Sequence, residues 1–264
     1  MVENLKRTFR SVWFGSVVCF VMLIASYVAA DTTAAPDTSC APGLTREMQP
    51  TKFDNVIPPA LPPDWIASNA QGPPPFWVTS NSGVPMPPAY TLPNAAFIDD
   101  PAVISDKRLD SPPVSCCFEG CCLQLTFRHN FNFEASPTDP TVGFDGGVLE
   151  LSIDGGNTFQ YIPANAFRSG GYNRTISPDR GSPIAGLQAW SGNSGGFITT
   201  VLGLNVPPVI SVRLRWRMAS DTSGSGEGWR VDNVTFTWCS GPPGTPNPLP
   251  TPRSRPTPAP RPSP

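Results

Sequence analysis

The chain has 264 residues and a formal net charge of −2, with 18 Lys and Arg against 20 Asp and Glu. Residues 31–240 are more acidic, with 12 basic and 19 acidic side chains and a net charge of −7. Nucleic-acid binding depends on basic contacts to phosphate, so this balance excludes a nucleic-acid partner from our expectations. It suits calcium, which takes oxygen ligands.

Residues 1–30 have the layout of a secretory signal peptide. A basic start precedes an uncharged run over residues 11–30, which ends in the small residues Val28-Ala29-Ala30. An uncleaved anchor is the alternative, because the run approaches the length that spans a bilayer. We favour cleavage, since polar and small residues dilute the run. We therefore expect a secreted or cell-surface protein with no membrane association after cleavage.

The rest of the chain divides into three parts by composition. Residues 31–50 are small and polar and predict an N-terminal loop segment, and residues 51–240 form the predicted domain. The proline-rich stretch 58–93 predicts an ordered loop over one edge of that domain. Residues 241–264 are low in complexity and rich in proline, which predicts an extended, disordered tail.

Within the predicted domain, the clearest signal is a period-two alternation over residues 123–134. Leu125 and Phe127 fall on one face, and Thr126 and Arg128 fall on the other. The sequence Asp154-Gly155-Gly156-Asn157 predicts a hairpin turn. We predict strands at residues 76–79, 95–98, 123–134, 148–153, 158–162, 197–204, 209–218 and 229–238. Short strands joined by such turns predict an all-β jelly-roll β-sandwich, concanavalin-like or galactose-binding-like.

Six cysteines follow the predicted signal peptide, and an even number in an exported protein predicts disulfides. They are Cys40, Cys116, Cys117, Cys121, Cys122 and Cys239. The four central cysteines could face each other across a tight hairpin. Zinc is the alternative, but doubled cysteines do not match the usual ligand spacing. Cys40 and Cys239 bracket the domain, and a bond between them is a hypothesis.

One motif has the form of a catalytic serine loop. Gly192-Asn193-Ser194-Gly195-Gly196 fits G-x-S-x-G, but a serine nucleophile needs a base within hydrogen-bond reach. The single histidine, His129, lies in mid-strand on the face of Phe127 and Phe131. We therefore predict a structural Gly-rich loop and a buried, hydrogen-bonded histidine, with no catalytic residue.

Other charged residues suggest weaker candidates. Glu134 and Glu150 stand near strand ends, where a glycosidase pair could form, but nothing near them in the sequence raises the pKa of either. Arg213, Arg215 and Arg217 share one predicted face. This ladder is either a binding stripe for acidic sugars or, as we favour, a face paired with neighbouring acids.

Asp232 is a candidate metal ligand because the alternation places it on the face of Val234 and Phe236. A carboxylate on an apolar face needs a partner. Asp54, near the start of the domain, is a second acid, and the first and last strands of a jelly roll often lie side by side. The two acids could share one structural calcium ion. Pairing with arginine or exposure in a turn is the alternative.

Several phrases in combination resemble a known group of domains. The most specific are Phe144-Asp145-Gly146-Gly147-Val148-Leu149-Glu150 and Gly228-Trp229-Arg230-Val231-Asp232. Over residues 52–238 the chain resembles the MAM-like jelly-roll domains of secreted bacterial proteins. Such domains follow the catalytic domain in immune inhibitor A-type and fungalysin-type peptidases, and the cleaved-adhesin domains of gingipains are more distant relatives.

The resemblance implies a jelly-roll sandwich, a non-catalytic role and often a structural cation near Asp54 and Asp232. The doubled cysteines depart from the pattern, and no protease domain accompanies the module, so peptidase activity is not transferred. We expect a secreted, non-catalytic recognition or adhesion module that binds an extracellular glycan or protein, with structural calcium as its only cofactor. The alternative is an accessory domain of a secreted peptidase or other hydrolase system.

Overall fold

The described part of the protein is built almost entirely from β-strands. The computed structural model describes residues 45–114, 121–206 and 211–240. Over these ranges, no helix is long and apolar enough to cross a bilayer. A 3-10 turn lies at Ala164–Ala166. The strands are β1 Thr45–Thr51, β2 Ile66–Gln71, β3 Val78–Ser80, β4 Ala95–Ile98, β5 Ser105–Asp110, β6 Cys121–Asn132, β7 Val142–Gly143, β8 Gly146–Ser152, β9 Gln160–Tyr161, β10 Phe167–Ser169, β11 Arg174–Ile176, β12 Gln188–Ala189, β13 Ile198–Val206, β14 Arg213–Ser220 and β15 Gly228–Ser240.

Two antiparallel sheets are packed face to face. Sheet A has the strand order β10-β13-β6-β15-β4-β3, and β1 also pairs with β15. Sheet B has the order β2-β5-β14-β8-β9, and a small third sheet has the order β12-β11-β7. The predicted fold class, an all-β jelly-roll β-sandwich, is confirmed.

The core lies between the inner faces of the two sheets and is rich in aromatic rings. Phe127 of β6 meets Trp216 of β14 edge-on, with ring centroids 5.5 Å apart. Trp190 and Trp229 pack beside them with centroids 5.7 Å apart. Such pairs add about 0.5–1.5 kcal/mol to the gain from burying their surface. The inward rows predicted in β6 and β14 are buried: Leu123, Leu125, Phe127, Phe131, Val212, Leu214, Trp216 and Met218.

Gly147 at the start of β8 permits this close aromatic packing. A Cβ atom at position 147 would lie 2.5 Å from the Trp229 ring, which is too close for any larger residue. The backbone of β8 therefore approaches the ring directly. This contact explains why the residue directly before Val148 is a glycine.

The first strand begins earlier than predicted. Residues 45–50, expected in a loop segment, belong to β1, which pairs along β15 from Thr45 opposite Ser240 to Thr51 opposite Val234. The stretch has no apolar alternation, and Met48 in it is exposed. Backbone pairing with a long neighbouring strand therefore forms β1, and none of the β1 side chains that the structure describes is buried.

The predicted cysteine hairpin lies mostly outside the described residues. Cys40, Cys116 and Cys117 are not described, and Cys121 and Cys122 are described only as part of β6. Cys239 in β15 is disulfide-bonded. The Cys40–Cys239 bond stays a prediction, as do the signal peptide and the disordered tail.

The proline-rich segment is held against the outer face of sheet A by one buried guanidinium. This segment contains β2, which its composition did not reveal, and β3, which overlaps the strand predicted at residues 76–79. Residues 81–92 then run over sheet A. Proline carries no backbone donor, so the carbonyl groups of such a segment need donors from elsewhere. Arg230 of β15 supplies them at 2.6–3.1 Å, to the carbonyl oxygens of Ser82, Val84, Pro85 and Pro88.

We expect Arg230→Met to lower the free energy of unfolding by at least about 3 kcal/mol, because four carbonyl groups lose a charged donor. Urea unfolding at pH 7, followed by tryptophan fluorescence, measures the loss. Arg46→Met, at an exposed position of β1, is the matched control and should stay within about 0.5 kcal/mol of the wild type. Equal losses in the two variants would contradict the anchoring role.

Candidate functional site

Ser194 and His129 do not form a nucleophile–base pair. The Ser194 hydroxyl accepts a hydrogen bond from the Phe131 N–H at 2.9 Å and lies 3.0 Å from Asn130 Oδ1. The pairing of β6 thereby continues with the chain that precedes β13. The His129 ring points into the core, where it packs against Phe127 and Trp190. The predicted structural role of this glycine-rich loop is confirmed.

His129 is fully buried and bonded through both ring nitrogens. Its Nε2 lies 2.8 Å from Thr200 Oγ1, and its Nδ1 accepts a hydrogen bond from Trp229 Nε1 at 3.2 Å. Thr200 Oγ1 is also 2.6 Å from the Gly170 carbonyl oxygen, to which it donates. Burial lowers the pKa of His129 to about 3, so the ring is neutral at physiological pH. The predicted buried histidine is confirmed.

The outer face of sheet B is closed by ion pairs. Arg215 donates two hydrogen bonds to the Asp110 carboxylate, at 2.6 and 2.9 Å. Arg217 donates two to the Asp106 carboxylate, at 2.9 and 3.0 Å, and one to Glu150 at 2.8 Å. Such bidentate pairs are among the stronger polar contacts in proteins. The favoured interpretation of the arginine ladder, a face paired with neighbouring acids, is therefore confirmed for Arg215 and Arg217, whereas Arg213 donates to the Ser111 carbonyl oxygen.

Asp232 lies on the outer face of sheet A and not on the apolar face that the alternation predicted. β15 has an irregularity between Asp232 and Thr235, and Asn233 within it adopts a φ of 49°. A bulge of this kind shifts the alternation, so Val234 and Phe236 point inward while Asp232 points outward. The predicted shared face is wrong for this reason.

Asp232 and Asp54 both hold the end of the proline-rich segment. Asp232 Oδ2 accepts hydrogen bonds from the Tyr90 and Thr91 N–H groups, each at 2.9 Å. Asp54 Oδ1 accepts one from the Asn94 N–H at 3.1 Å. Burial raises the pKa of Asp232 to about 6, and the charge of Asp54 adds to this effect. Calcium binding by this pair stays a prediction.

A second group of acids was missed by the sequence reasoning. One carboxylate oxygen from each of Glu134, Asp145 and Asp221 lies within 4.8 Å of the others. Asp100 is beside them; burial raises the pKa of both Asp100 and Asp145, and the charge of Asp100 adds to the effect on Asp145. These acids are far apart in the sequence, although two of them directly flank buried strands. Glu134 and Glu150, considered above as a glycosidase pair, belong to different clusters.

Over the described residues, one part of the outer surface of sheet A stays open. We call it the polar face and define it by half-buried side chains that alternate with buried ones in β6, β13 and β15. Residues 81–92 cover the adjacent part of sheet A, around Arg230 and Asp232. Strand register places the members of the polar face side by side. They are Gln124, Thr126, Arg128, Thr199, Thr235 and Thr237, together with one apolar residue, Val201, opposite Thr126.

An exposed aromatic ring borders the polar face. Tyr90 is 46% exposed, and the Arg128 guanidinium lies over its ring, 4.4 Å from the centroid. The Phe197 ring meets Tyr90 at a steep angle, with centroids 5.8 Å apart. Arg128 also donates a hydrogen bond to the Thr199 hydroxyl. Tyr90 therefore stands in one fixed orientation beside a row of hydroxyl and amide groups. The sequence showed these residues only as part of a loop and two strands.

Two packed sheets, a sealed core and one open polar face define a β-sandwich of the jelly-roll class. No protein-family model matches the chain, and no curated protein matches it. The predicted membership in the MAM-like group therefore stays a prediction.

Three solved structures are among those to which the chain is similar. The K1 cleaved adhesin domain of Lys-gingipain from Porphyromonas gingivalis W83 is 14% identical, covering 72% of this chain and 97% of that chain, with a TM-score of 0.41. The CBM22-1 xylan-binding domain from Paenibacillus barcinonensis Xyn10C is 8% identical, covering 74% and 95%, with a TM-score of 0.39. The lectin UEA-II complexed with galactose is 12% identical, covering 72% and 98%, with a TM-score of 0.41. Likenesses at this level do not identify a ligand.

His129 is expected to stay unprotonated in the folded protein down to about pH 5, because burial lowers its pKa to about 3. In the unfolded chain its pKa is about 6.5. The unfolded state then binds an extra proton below pH 6.5, so folding stability falls as the pH falls toward 3, by up to about 1.4 kcal/mol per pH unit from this residue.

The chain has a single histidine, so proton NMR can follow this ring without overlap from another histidine. We expect constant imidazole shifts from pH 8 to 5 in the folded protein and a transition near pH 6.5 in 8 M urea as the control. A transition near pH 6.5 in the folded protein would show that the ring is accessible.

Proposed function

We propose that this domain is an exported, non-catalytic recognition module that binds carbohydrate chains on the polar face of sheet A. One observation supports the proposal above all: an exposed Tyr90 ring, clamped by Arg128 and Phe197, at the border of an uncovered row of threonine, glutamine and arginine side chains.

The chemistry of the polar face suits a sugar. A pyranose ring has one face of C–H groups, which pack on an aromatic ring, and a rim of hydroxyl groups that both donate and accept hydrogen bonds. Threonine hydroxyls and the Gln124 amide can serve either role, and arginine adds fixed donors. Arg168 already bonds Gln124 Oε1 at 3.2 Å, which orients the amide. Because Tyr90 is clamped, little conformational freedom is lost on binding.

A protein ligand fits this surface less well. The central part of a protein–protein interface is usually apolar and depleted in polar side chains. Here the centre of the polar face holds Thr126 and Thr235 beside one apolar residue, Val201, and the aromatic ring lies at its border. The surface is therefore better suited to a hydroxyl-rich ligand.

Tyr90→Ala is expected to weaken binding to a glycan at least about tenfold, equivalent to ~1.4 kcal/mol, because the stacking surface is lost. A polysaccharide panel in affinity electrophoresis identifies the ligand, and calorimetry with a matching oligosaccharide measures the affinity. Phe76→Ala is the control, since Phe76 is exposed to a similar degree, 50%, just before β3. This variant should bind like the wild type.

Two outcomes count against the proposal. Equal weakening by Phe76→Ala and Tyr90→Ala would show that the polar face is not the site. Release of shorter sugars from a bound polysaccharide would show that the module is catalytic. Circular dichroism of each variant confirms that folding is retained before binding is compared.

A further inference from the structure

Four carboxylates meet at one end of the sandwich, and we call them the acidic cluster. Asp100 follows β4 and Glu134 follows β6, both in sheet A. Asp145 directly precedes β8 and Asp221 directly follows β14, both in sheet B. The acidic cluster therefore joins strand ends from the two sheets. Asp145 and Asp221 are at most 1% exposed, and Asp100 is 5% exposed.

Backbone groups hold these carboxylates in place through some of their oxygens. Asp145 Oδ1 accepts a hydrogen bond from the Asp221 N–H at 2.6 Å, and Asp221 Oδ1 accepts one from the Ser223 N–H at 2.7 Å. Asp100 Oδ2 accepts two, from the N–H groups of Glu134 at 3.2 Å and Gly226 at 2.7 Å. The positions of the side chains are thus set by the fold itself.

Each carboxylate has another buried oxygen with no hydrogen-bond donor. These oxygens are Asp100 Oδ1, Glu134 Oε2, Asp145 Oδ2 and Asp221 Oδ2. An unpaired buried carboxylate oxygen is costly, and four together are more so because the charges repel each other. The acidic cluster therefore needs a positive partner or a proton: burial raises the pKa of Asp100 and of Asp145, and a bound cation would take the place of that proton.

Arginine supplies only part of that charge. Arg180 Nη1 lies 3.6 Å from Asp221 Oδ2, beyond hydrogen-bond distance, and the Arg180 side chain is 40% exposed. Its guanidinium rests on the Phe144 ring, 3.5 Å from the centroid. One half-exposed cation cannot balance four carboxylates.

We propose that the acidic cluster binds one calcium ion, which links the ends of the two sheets. All the available ligands are oxygens, which selects a hard cation over zinc or copper. Two ligands at 2.3–2.6 Å from one calcium ion lie no more than about 5 Å apart, and the oxygens of Glu134, Asp145 and Asp221 meet this limit at 4.8 Å. The calcium site predicted at Asp54 and Asp232 is a different one, at the proline-rich segment.

The test compares calcium binding and melting of the full chain in 1 mM EGTA and in CaCl2. The wild type should bind calcium in calorimetry, and its Tm should rise by about 5–10 °C when calcium is present at a hundred times its Kd. Asp145→Asn keeps the Oδ1 acceptor and should lose one bound ion and this gain in Tm. In EGTA its Tm should match or exceed that of the wild type, because one buried charge is removed.

Two further variants keep the result decisive. Glu134→Gln changes a half-buried residue, folds even if Asp145→Asn does not, and should also lose one bound ion. Asp54→Asn is the matched control at the other acid pair, and should keep the ion that the cluster variants lose. If Glu134→Gln and Asp145→Asn bind as many calcium ions as the wild type, or if the wild type binds none, the proposal is wrong. Tighter binding of Mg²⁺ than of Ca²⁺ would overturn the choice of calcium.

Discussion

The arrangement of the outer surface depends on how β15 holds the proline-rich segment. Arg230 and Asp232 occupy successive outward positions of this strand and act on complementary groups of the same segment. Arg230 donates to carbonyl oxygens of residues 82–88, while Asp232 accepts from the N–H groups of Tyr90 and Thr91. A segment with few donors is therefore fixed at one end by a donor and at the other by an acceptor. Tyr90 is positioned as a consequence.

Several buried charges in this fold are paired, and the pairing is local to the strand ends. Lys107 of β5 is fully buried, and its Nζ lies 2.5 Å from Asp99 Oδ1. The Trp77 indole N–H, in turn, donates to the Lys107 carbonyl oxygen at 3.4 Å. Buried pairs of this type often contribute less to stability than an apolar pair would, because both charges lose water. What they provide is a defined strand register, since a shifted β5 would separate Lys107 from Asp99.

The sequence allowed the central strands to be predicted because their inner faces are mostly apolar. The inward residues of β6 and β14 are mainly Leu, Phe, Trp and Met, and those residues are buried, while His129 interrupts the row in β6. β5 was missed because its inward side chains are Ser105, Lys107 and Leu109. Two of these three are polar, so the sequence shows no apolar face here unless the partners of these side chains are known. β1 was missed because only its backbone pairing holds it.

The candidate sites were harder to predict than the strands, because they depend on contacts between distant residues. Asp54 and Asp232 could be proposed from the sequence, but a bulge at Asn233 reversed the side on which Asp232 lies. Periodicity cannot reveal a bulge, because a single residue in the left-handed region shifts every later side chain. Tyr90 and Phe197 are separated by more than one hundred residues, and only the fold brings their rings together.

The two outer faces of the sandwich differ in how completely their polar groups are used. On sheet B, Arg215 and Arg217 are each bound to carboxylates through two or more hydrogen bonds, so their donors are already occupied. A ligand there would have to break charged hydrogen bonds before it made new ones. On sheet A, the polar groups beside Arg128 are half-exposed, and the hydrogen bonds from Arg128 to Thr199 and from Arg168 to Gln124 are single contacts to neutral groups and not bidentate ion pairs. This difference in desolvation cost favours the face of sheet A as the recognition surface. The difference is caused by the ion pairs on sheet B, which the arginine ladder in the sequence did not reveal by itself.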